Sequence, residues 1–192
     1  EMHSADRVVM ELSSFQLELM TVSPAVAGVL NITPNHLDRH KTMEAYIAAK
    51  RNIVVHQGAD DVAVLGYDDA NARALHQSTQ AEVRYFSGSG PVDAGAYLRG
   101  DELVLRSNGV EKPIATCGDL PLRGYHNVLN VLAAIALADA AGASQSGMRA
   151  AIAGFTGVEH RLEEVRYRRG VLWVNDSIAT APERVSAALA SF

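Results

Sequence analysis

The chain has 192 residues, of which 48% are hydrophobic and 20% charged, a composition typical of a folded globular protein rather than a disordered one. Its 17 basic and 22 acidic side chains give a formal net charge of −5. That balance argues against a nucleic-acid-binding protein, because such proteins present a basic surface to the phosphates. The single cysteine, Cys117, cannot form an internal disulfide, and no stretch is long enough to span a bilayer. These features favour a cytoplasmic protein.

Apolar runs and helical periodicity predict alternating strands and helices in the first part of the chain. Continuous apolar runs at 8–12, 27–32 and 61–66 predict strands buried on both faces, as in a parallel sheet covered by helices. The apolar spacing over 43–55 predicts an amphipathic helix, and 68–76 predicts another. Glu1 stands directly before the first run, without an initiator Met or a signal peptide, which predicts a piece of a longer protein.

The middle of the chain has a different pattern. Short β-rich runs between residues 82 and 120, broken by Gly, Pro and Asn-Gly, predict an antiparallel β insertion. Helices are predicted over 127–141 and 146–154, then a hairpin over 165–174 and a last helix over 182–190. A change of composition near Gly157 predicts two domains, 1–157 and 158–192. The fold class predicted is therefore α/β, with a mostly parallel sheet flanked by helices and a β-rich insertion.

Polar residues follow the first two predicted strands. Glu11 stands at the end of the first run, and His36 lies in the polar segment that follows the second. The carboxyl ends of parallel strands line the ligand crevice of α/β proteins, and a carboxylate there suits Mg²⁺. Two interpretations stay open. Either both residues are metal ligands, or Glu11 caps the next turn and His36 belongs to a solvated turn in which Asn35 or Asp38 caps a helix.

Three further groups of polar residues also have two interpretations each. Lys50 is one of only three lysines and follows two alanines on a predicted helix. It is either part of a functional site or an exposed residue that contributes only to solubility. Asn127 and Asn130 lie three residues apart at the start of a helix, where paired amides bind a base edge or cap the helix. Arg161 and Asp176 flank the predicted hairpin. Either Arg161 binds a phosphate and Asp176 binds a ribose or a cation, or both are ordinary surface charges.

The order of the motifs is more informative than each one alone. The segments ELSSFQLE, LNITPNHLDRH, AYIAAKRNI, GYHNVLNVLAAIA, GVEHRLE and WVNDSIATAPE together resemble the Mur ligases of peptidoglycan synthesis, and cover essentially the whole chain. The resemblance is greatest to the glutamate-adding members. It implies the later part of the central ATP-binding domain over 1–157 and the beginning of a Rossmann-like C-terminal ligase domain over 158–192.

The resemblance implies an ATP-dependent amide ligase. The carboxylate of UDP-N-acetylmuramoyl-L-alanine would be activated as an acyl phosphate, which the amine of D-glutamate then attacks. By motif match, Glu11 and His36 would be Mg²⁺ ligands, and Lys50 would be a carbamylated lysine that also binds the metal. His36 and Lys50 would be the catalytic pair. Carbamylation makes the lysine anionic, and burial near a metal favours the neutral amine that it requires.

The same resemblance implies a nucleotide site and a set of small-molecule partners. Asn127 and Asn130 match adenine-side positions, and Arg161 and Asp176 match positions that contact ATP. Ser13 matches a position near the muramoyl substrate. ATP, UDP-N-acetylmuramoyl-L-alanine and glutamate are the partners implied, with no nucleic acid, no membrane insertion and a monomer when full length.

Two features depart from the family pattern. No Gly-Lys dipeptide occurs in the sequence, so the P-loop is absent from these residues, and we expect the chain alone to be inactive. Ile178 stands where many family members have Lys, near the acceptor side, which leaves D- or L-glutamate open. Another Mur ligase, a folylpolyglutamate synthetase-like enzyme, a nucleotide-binding module without catalysis and a purely structural domain are the remaining alternatives.

Overall fold

The computed structural model describes residue 3, residues 6–180 and residues 182–192, with no description of the side chains at 183 and 184. The helices are α1 (Ser14–Leu17), α2 (Leu37–His40), α3 (Met43–Arg51), α4 (Ala70–Ala74), α5 (Tyr125–Ala140), α6 (Gln145–Gly154) and α7 (Pro182–Leu189). The strands are β1 (Val26–Val29), β2 (Val62–Gly66), β3 (Glu82–Ser87), β4 (Gly95–Arg99), β5 (Glu102–Ser107), β6 (Val110–Thr116), β7 (Glu163–Arg168) and β8 (Val171–Asn175). Short 3₁₀ helices cover Leu75–Ser78 and Cys117–Asp119.

Six strands form one mixed sheet in the order β1-β2-β3-β4-β5-β6. The pairs from β1 to β4 are parallel, with Ala27 opposite Ala63 in the first pair, and β4, β5 and β6 are antiparallel. Their side chains are apolar and largely buried on both faces where helices cover the sheet. The predicted α/β fold with a mostly parallel sheet is confirmed.

Two local predictions were wrong. Residues 8–12 form no strand in the described structure, and Val8, Val9 and Met10 are exposed rather than buried. A strand needs a neighbour to receive its backbone hydrogen bonds, and no described strand pairs with this segment. The run at 83–86 is not part of an antiparallel insertion, because β3 pairs in parallel with both β2 and β4. Antiparallel pairing begins only at the β4–β5 hairpin.

Helix α5 builds the core against one face of the sheet. It has 16 residues and contacts β1, β2, β3, β4 and β5. Its fully buried side chains are those of Leu132, Ala133, Ile135 and Ala136. At its far end, Asp139 pairs with Arg84 of β3, with 2.8 Å between the guanidinium nitrogen and the carboxylate oxygen. Apolar burial along the helix and this partly buried ion pair fix its direction across the strands.

The last third of the chain contains a separate two-stranded sheet, β7-β8, which is the hairpin predicted over 165–174 and turns at Arg169-Gly170. Gly157, with a φ of 97°, lies between α6 and this hairpin. The boundary of the two domains at 157/158 stays a prediction. None of the helices in the described part of the chain is long and apolar enough to cross a bilayer.

A charged network closes the antiparallel edge of the sheet. The carboxylate of Glu111 on β6 pairs with Arg106 on β5, and lies 2.8 Å from a guanidinium nitrogen of Arg99 on β4. A hydrogen bond from the buried Tyr97 hydroxyl and the guanidinium of Arg106 lower the pKa of Glu111 to about 2. Because folding lowers the pKa of Glu111, the network stabilises the folded state at pH values above the ordinary carboxyl pKa. That contribution disappears as the pH falls towards 2.

We expect Glu111→Gln to flatten the dependence of unfolding free energy on pH between about 4.5 and 2. The substitution keeps the hydrogen-bond acceptor but removes the ionisation that generates this part of the slope. Urea unfolding of both proteins at a series of pH values measures it. Gln80→Ala, at an exposed position, is the control and should keep the parent slope; equal slopes for Glu111→Gln and the parent would refute the prediction.

Candidate functional site

Lys50 lies on α3 with its ammonium nitrogen over the ring of Tyr46, 5.3 Å from the ring centroid. The two side chains are four residues apart and therefore share one face of the helix. Burial lowers the pKa of Lys50, and the negative charge of Glu11 acts in the opposite direction. The structure thus brings Glu11 and Lys50 close enough for their charges to interact, although 39 positions of sequence separate Lys50 from Glu11.

His36 lies at the start of α2, in the left-handed conformation with a φ of 53°. Its backbone N–H donates to the Asn35 side chain over 2.9 Å, and its ring centroid lies 5.2 Å from that of Phe15. Phe15 is on α1, four residues after Glu11. Neither Asn35 nor Asp38 caps α2 through its side chain, so the capping interpretation of this segment is wrong.

Ser13 has a local role as the N-cap of α1. Its hydroxyl oxygen accepts from the Gln16 backbone N–H, and the Gln16 side chain accepts from the Ser13 N–H, which together form a capping box. The capping interpretation of Glu11 is therefore also wrong, because Ser13 fills that position. The contact of Ser13 with a muramoyl substrate stays a prediction.

The donor atoms at this first site suit Mg²⁺ only in part. Among the described residues, no group of three or more His, Cys, Asp or Glu side chains is arranged to hold a metal ion. Glu11 offers a carboxylate and His36 an imidazole, whereas a protonated Lys50 offers no lone pair. Mg²⁺ prefers oxygen ligands, so these residues would suit the ion only with a carbamate on Lys50, which would supply two oxygens.

The four predicted nucleotide residues line a second site. A cleft of about 770 Å³ lies between α5 and α6 on one side and the last 35 residues on the other. The nucleotide-site candidates that line it are Asn127, Asn130, Arg161 and Asp176. Asn127 and Asn130 lie in the first turns of α5, as predicted, with 3.3 Å between the Asn130 amide nitrogen and the Asn127 amide oxygen.

Unusual backbone conformations hold Arg161. The residues on both sides of it, His160 and Leu162, have φ values of 66° and 46°, in the left-handed region. The carboxylate of Asp176 accepts a hydrogen bond from the Leu162 N–H over 3.2 Å and so ties this turn to the end of β8. Left-handed conformations of such residues persist only where surrounding contacts impose them, and they concentrate at ligand sites.

A smaller cavity of about 240 Å³ lies at the carboxyl ends of β1, β2 and β3. Asp68, Asp69 and His126 line this cavity, and none of the three was predicted from the sequence as a site residue. Asp69 caps α4, as the acidic pair before that helix indicates, whereas Asp68 accepts from Ser87 and from the Gly88 N–H, each over 2.8 Å. Acidic residues directly after a parallel strand were the signal that could have found them. His126 and Asn130 line both cavities.

Gly88 allows the close approach that positions the start of α5. A Cβ at this residue would collide with the Tyr125 hydroxyl and lie 2.8 Å from a Leu129 methyl. The absence of a side chain at Gly88 leaves room for the Tyr125 and Leu129 side chains against the loop after β3. The first turn of α5, which carries Asn127, therefore lies beside this loop.

Comparisons with known proteins identify the family of the chain. The family model of the Mur ligase middle domain matches residues 1–138. The UDP-N-acetylmuramoylalanine–D-glutamate ligase of Acetivibrio thermocellus is 46% identical over 193 residues, covering 100% of the chain and 41% of that protein. The enzyme of the same name from Symbiobacterium thermophilum is 47% identical over 185 residues, covering 95% of the chain and 40% of that protein. The chain thus spans about two fifths of the length of these relatives.

Solved structures with a similar fold include MurF from Acinetobacter baumannii, with a TM-score of 0.72 and 23% identity over 93% of the chain and 40% of that protein. MurF ligase from Thermotoga maritima in complex with ADP has a TM-score of 0.62 and 22% identity, over 88% of the chain and 40% of that protein. At these identities the likeness concerns the fold. Since the family model covers more than two thirds of the sequence, the chain belongs to the Mur ligase family.

Proposed function

We propose that the protein containing this chain is an ATP-dependent ligase that joins D-glutamate to UDP-N-acetylmuramoyl-L-alanine in peptidoglycan precursor synthesis. The observation that carries the proposal is the gathering of Asn127, Asn130, Arg161 and Asp176 around one cleft, from two distant parts of the sequence. The relative from Acetivibrio thermocellus, 46% identical along the whole chain, bears the name of this activity.

The reaction consists of two transfers. An oxygen of the substrate carboxylate attacks the terminal phosphorus of ATP, ADP leaves, and an acyl phosphate forms. The glutamate amine then attacks the acyl carbon, the tetrahedral intermediate expels phosphate, and the amine loses its proton, which leaves an amide. Positioning and charge neutralisation are the main demands of such phosphoryl transfer.

The nucleotide residues supply the positioning. The amides of Asn127 and Asn130 each offer donors and an acceptor, which matches the edge of an adenine. On the opposite wall of the cleft, the guanidinium of Arg161 suits phosphate oxygens, and the carboxylate of Asp176 accepts from ribose hydroxyls. The base would lie against the apolar side chains of Val131 and Leu122, which also line the cleft.

Glu11, His36 and Lys50 would hold the magnesium ion. Magnesium, when bound, supplies positive charge that neutralises the transferring phosphoryl group. The lowered pKa of Lys50 favours the neutral amine, which reacts with CO₂ to give a carbamate and release a proton. Lys50 would then present anionic oxygens beside the Glu11 carboxylate in place of a cation. Use of ATP and a nucleotide-linked substrate favours a cytoplasmic location, and the monomeric state stays a prediction.

The direct test uses the complete reading frame that encodes this sequence. We expect phosphate release from ATP that depends on UDP-N-acetylmuramoyl-L-alanine and D-glutamate. Turnover with L-glutamate alone would assign the enzyme to a related branch and connect Ile178, which lines the cleft, with acceptor choice. No turnover with either would favour a nucleotide-binding module. The 192 residues alone should release no phosphate, because they contain no P-loop.

Lys50→Arg should lower kcat of the complete enzyme by about 10²- to 10³-fold, the range seen when one group that stabilises developing charge is removed. Arginine keeps the positive charge but stays protonated and forms no carbamate. Steady-state phosphate release measures the effect, and mass spectrometry under ¹³C-labelled CO₂ detects the carbamate directly. Lys112→Arg, at an exposed position on β6, should retain parent activity. Full activity of Lys50→Arg would exclude a carbamate role.

Asn130→Ala should raise the KM for ATP about tenfold, because loss of one good hydrogen-bonding partner costs roughly 1–2 kcal/mol. The KM for glutamate should change little. Initial rates at varied ATP and at varied glutamate separate the two constants. Gln77→Ala removes an exposed amide from the 3₁₀ helix after α4 and provides the matched control. A change in the glutamate KM alone would contradict the nucleotide assignment.

A further inference from the structure

His40 is a buried histidine, 8% exposed, at a position where α1, α2 and α3 meet. Its Nε2 lies 2.9 Å from the Ser14 hydroxyl oxygen on α1. Its ring stacks on that of Phe15, with 5.4 Å between centroids and 7° between planes. On the other side lies the ring of Tyr46 on α3, at 5.2 Å. One side chain therefore contacts both neighbouring helices.

One residue of the proposed metal site lies on or just before each of these three helices. Glu11 precedes α1, His36 begins α2 and Lys50 lies on α3. His36 is one helical turn from His40, and both rings pack against Phe15. Lys50 is one turn from Tyr46 and lies over its ring. The relative positions of the three candidate ligands thus depend on contacts that converge on His40.

Helix α2 needs such an anchor. It has only four residues, and the residues at both its ends, His36 and Lys41, have left-handed φ values of 53° and 69°. A single turn of helix is not stable by itself, and left-handed conformations add to its cost. His40 is the buried residue of this helix. Its packing and its bond to Ser14 are what hold the segment against α1 and α3.

We propose that His40 is a positioning residue that fixes Glu11, His36 and Lys50 in one arrangement through its contacts with Ser14, Phe15 and Tyr46. The roles of those three residues rest on the proposed function, whereas the positioning itself is a property of the fold. The ring of His40 packs α2 against α1 through Phe15 and against α3 through Tyr46, and its nitrogen bonded to Ser14 adds a polar attachment to α1. An aromatic residue in place of His40 therefore keeps the ring packing but loses the hydrogen bond to Ser14.

Nuclear magnetic resonance of the complete protein labelled with ¹³C-lysine tests the positioning directly. This chain has three lysines, and the loss of one ε-methylene signal in each Lys→Arg variant assigns their signals. The side chain of Lys50 lies over the face of the Tyr46 ring, which shifts its signal upfield. Lys112, exposed on β6, serves as the internal reference. The position of Lys50 is thus measured independently of any enzymatic activity.

Three variants separate the contributions of the ring and of the hydrogen bond. His40→Asn removes the ring, and we expect the Lys50 signal to lose most of its upfield shift while the Lys112 signal stays unchanged. His40→Phe keeps both ring contacts and should retain at least half of the shift. His56→Asn, at an exposed histidine, should leave all three signals in place. A Lys50 signal in His40→Asn identical to that of the parent would overturn the proposal.

If His40→Asn does not fold, shown by collapse of all three signals to unfolded values, Ser14→Ala replaces it. That variant removes one hydroxyl and retains the rings, and should give a smaller displacement of the Lys50 signal alone. An unchanged Lys50 signal in folded Ser14→Ala would then count against the proposal.

The complete enzyme gives the second measurement. His40→Phe and Ser14→Ala should lower kcat about 10- to 100-fold, the scale expected for small misplacements of catalytic groups, with the KM for ATP unchanged. Unchanged kcat in both variants would overturn the link between this positioning and the metal site. If the parent enzyme shows no ligase activity, the proposed function fails, whereas the signals of Lys50 still decide whether His40 positions it.

Discussion

The packing of α5 across the sheet is the interaction on which the rest of the structure depends. This one helix contacts five of the six strands of the main sheet, and its buried Ala and Leu side chains cover one face of that sheet. The ion pair of Asp139 with Arg84 links one end of the helix to β3, and the first turn at the other end lies against Gly88, which follows the same strand. The burial of the helix against the sheet thus places Asn127 and Asn130 at the cleft.

The other face of the sheet is organised differently. There the short helices α1 and α2 have too few residues to be stable alone, and they gain their stability from aromatic contacts with each other and with α3. The nucleotide candidates thus stand on a long and well-buried helix, whereas Glu11 and His36 stand on short segments that hold their places through a few side chains. Packing defects would therefore affect the proposed metal site sooner than the cleft.

The sequence predicts the elements of this fold better than their pairing. The predicted runs at 27–32 and 61–66 correspond to β1 and β2, because their apolar residues are buried between α5 and the helices of the opposite face. The run at 8–12 has the same composition, yet local sequence does not reveal whether a partner strand is present to bond it. The direction of β3 is likewise decided by its neighbours and not by its own residues.

For the candidate site too, the sequence predicts single residues better than their arrangement. The resemblance assigns Glu11, His36 and Lys50 to a metal site and four further residues to a nucleotide site, but the sequence does not reveal the cleft that those four line together. His40 escapes prediction because a histidine between Arg39 and Lys41 resembles a solvated residue, and only the tertiary contacts bury it. Asp68 is missed for a different reason. The acidic pair of Asp68 and Asp69 is already explained by a helix cap, which is the role that Asp69 has in α4.

The two walls of the large cleft belong to different parts of the chain, and this has a thermodynamic consequence. Asn127 and Asn130 lie on α5, Arg161 and Asp176 lie beyond Gly157, and the ion pair of Arg123 with Glu164 spans the two sides at 2.7 Å. A ligand that contacts both walls selects the conformations in which they face each other, and its measured affinity includes the free energy of that selection. Substitutions at the connection could thus alter nucleotide affinity without touching the nucleotide.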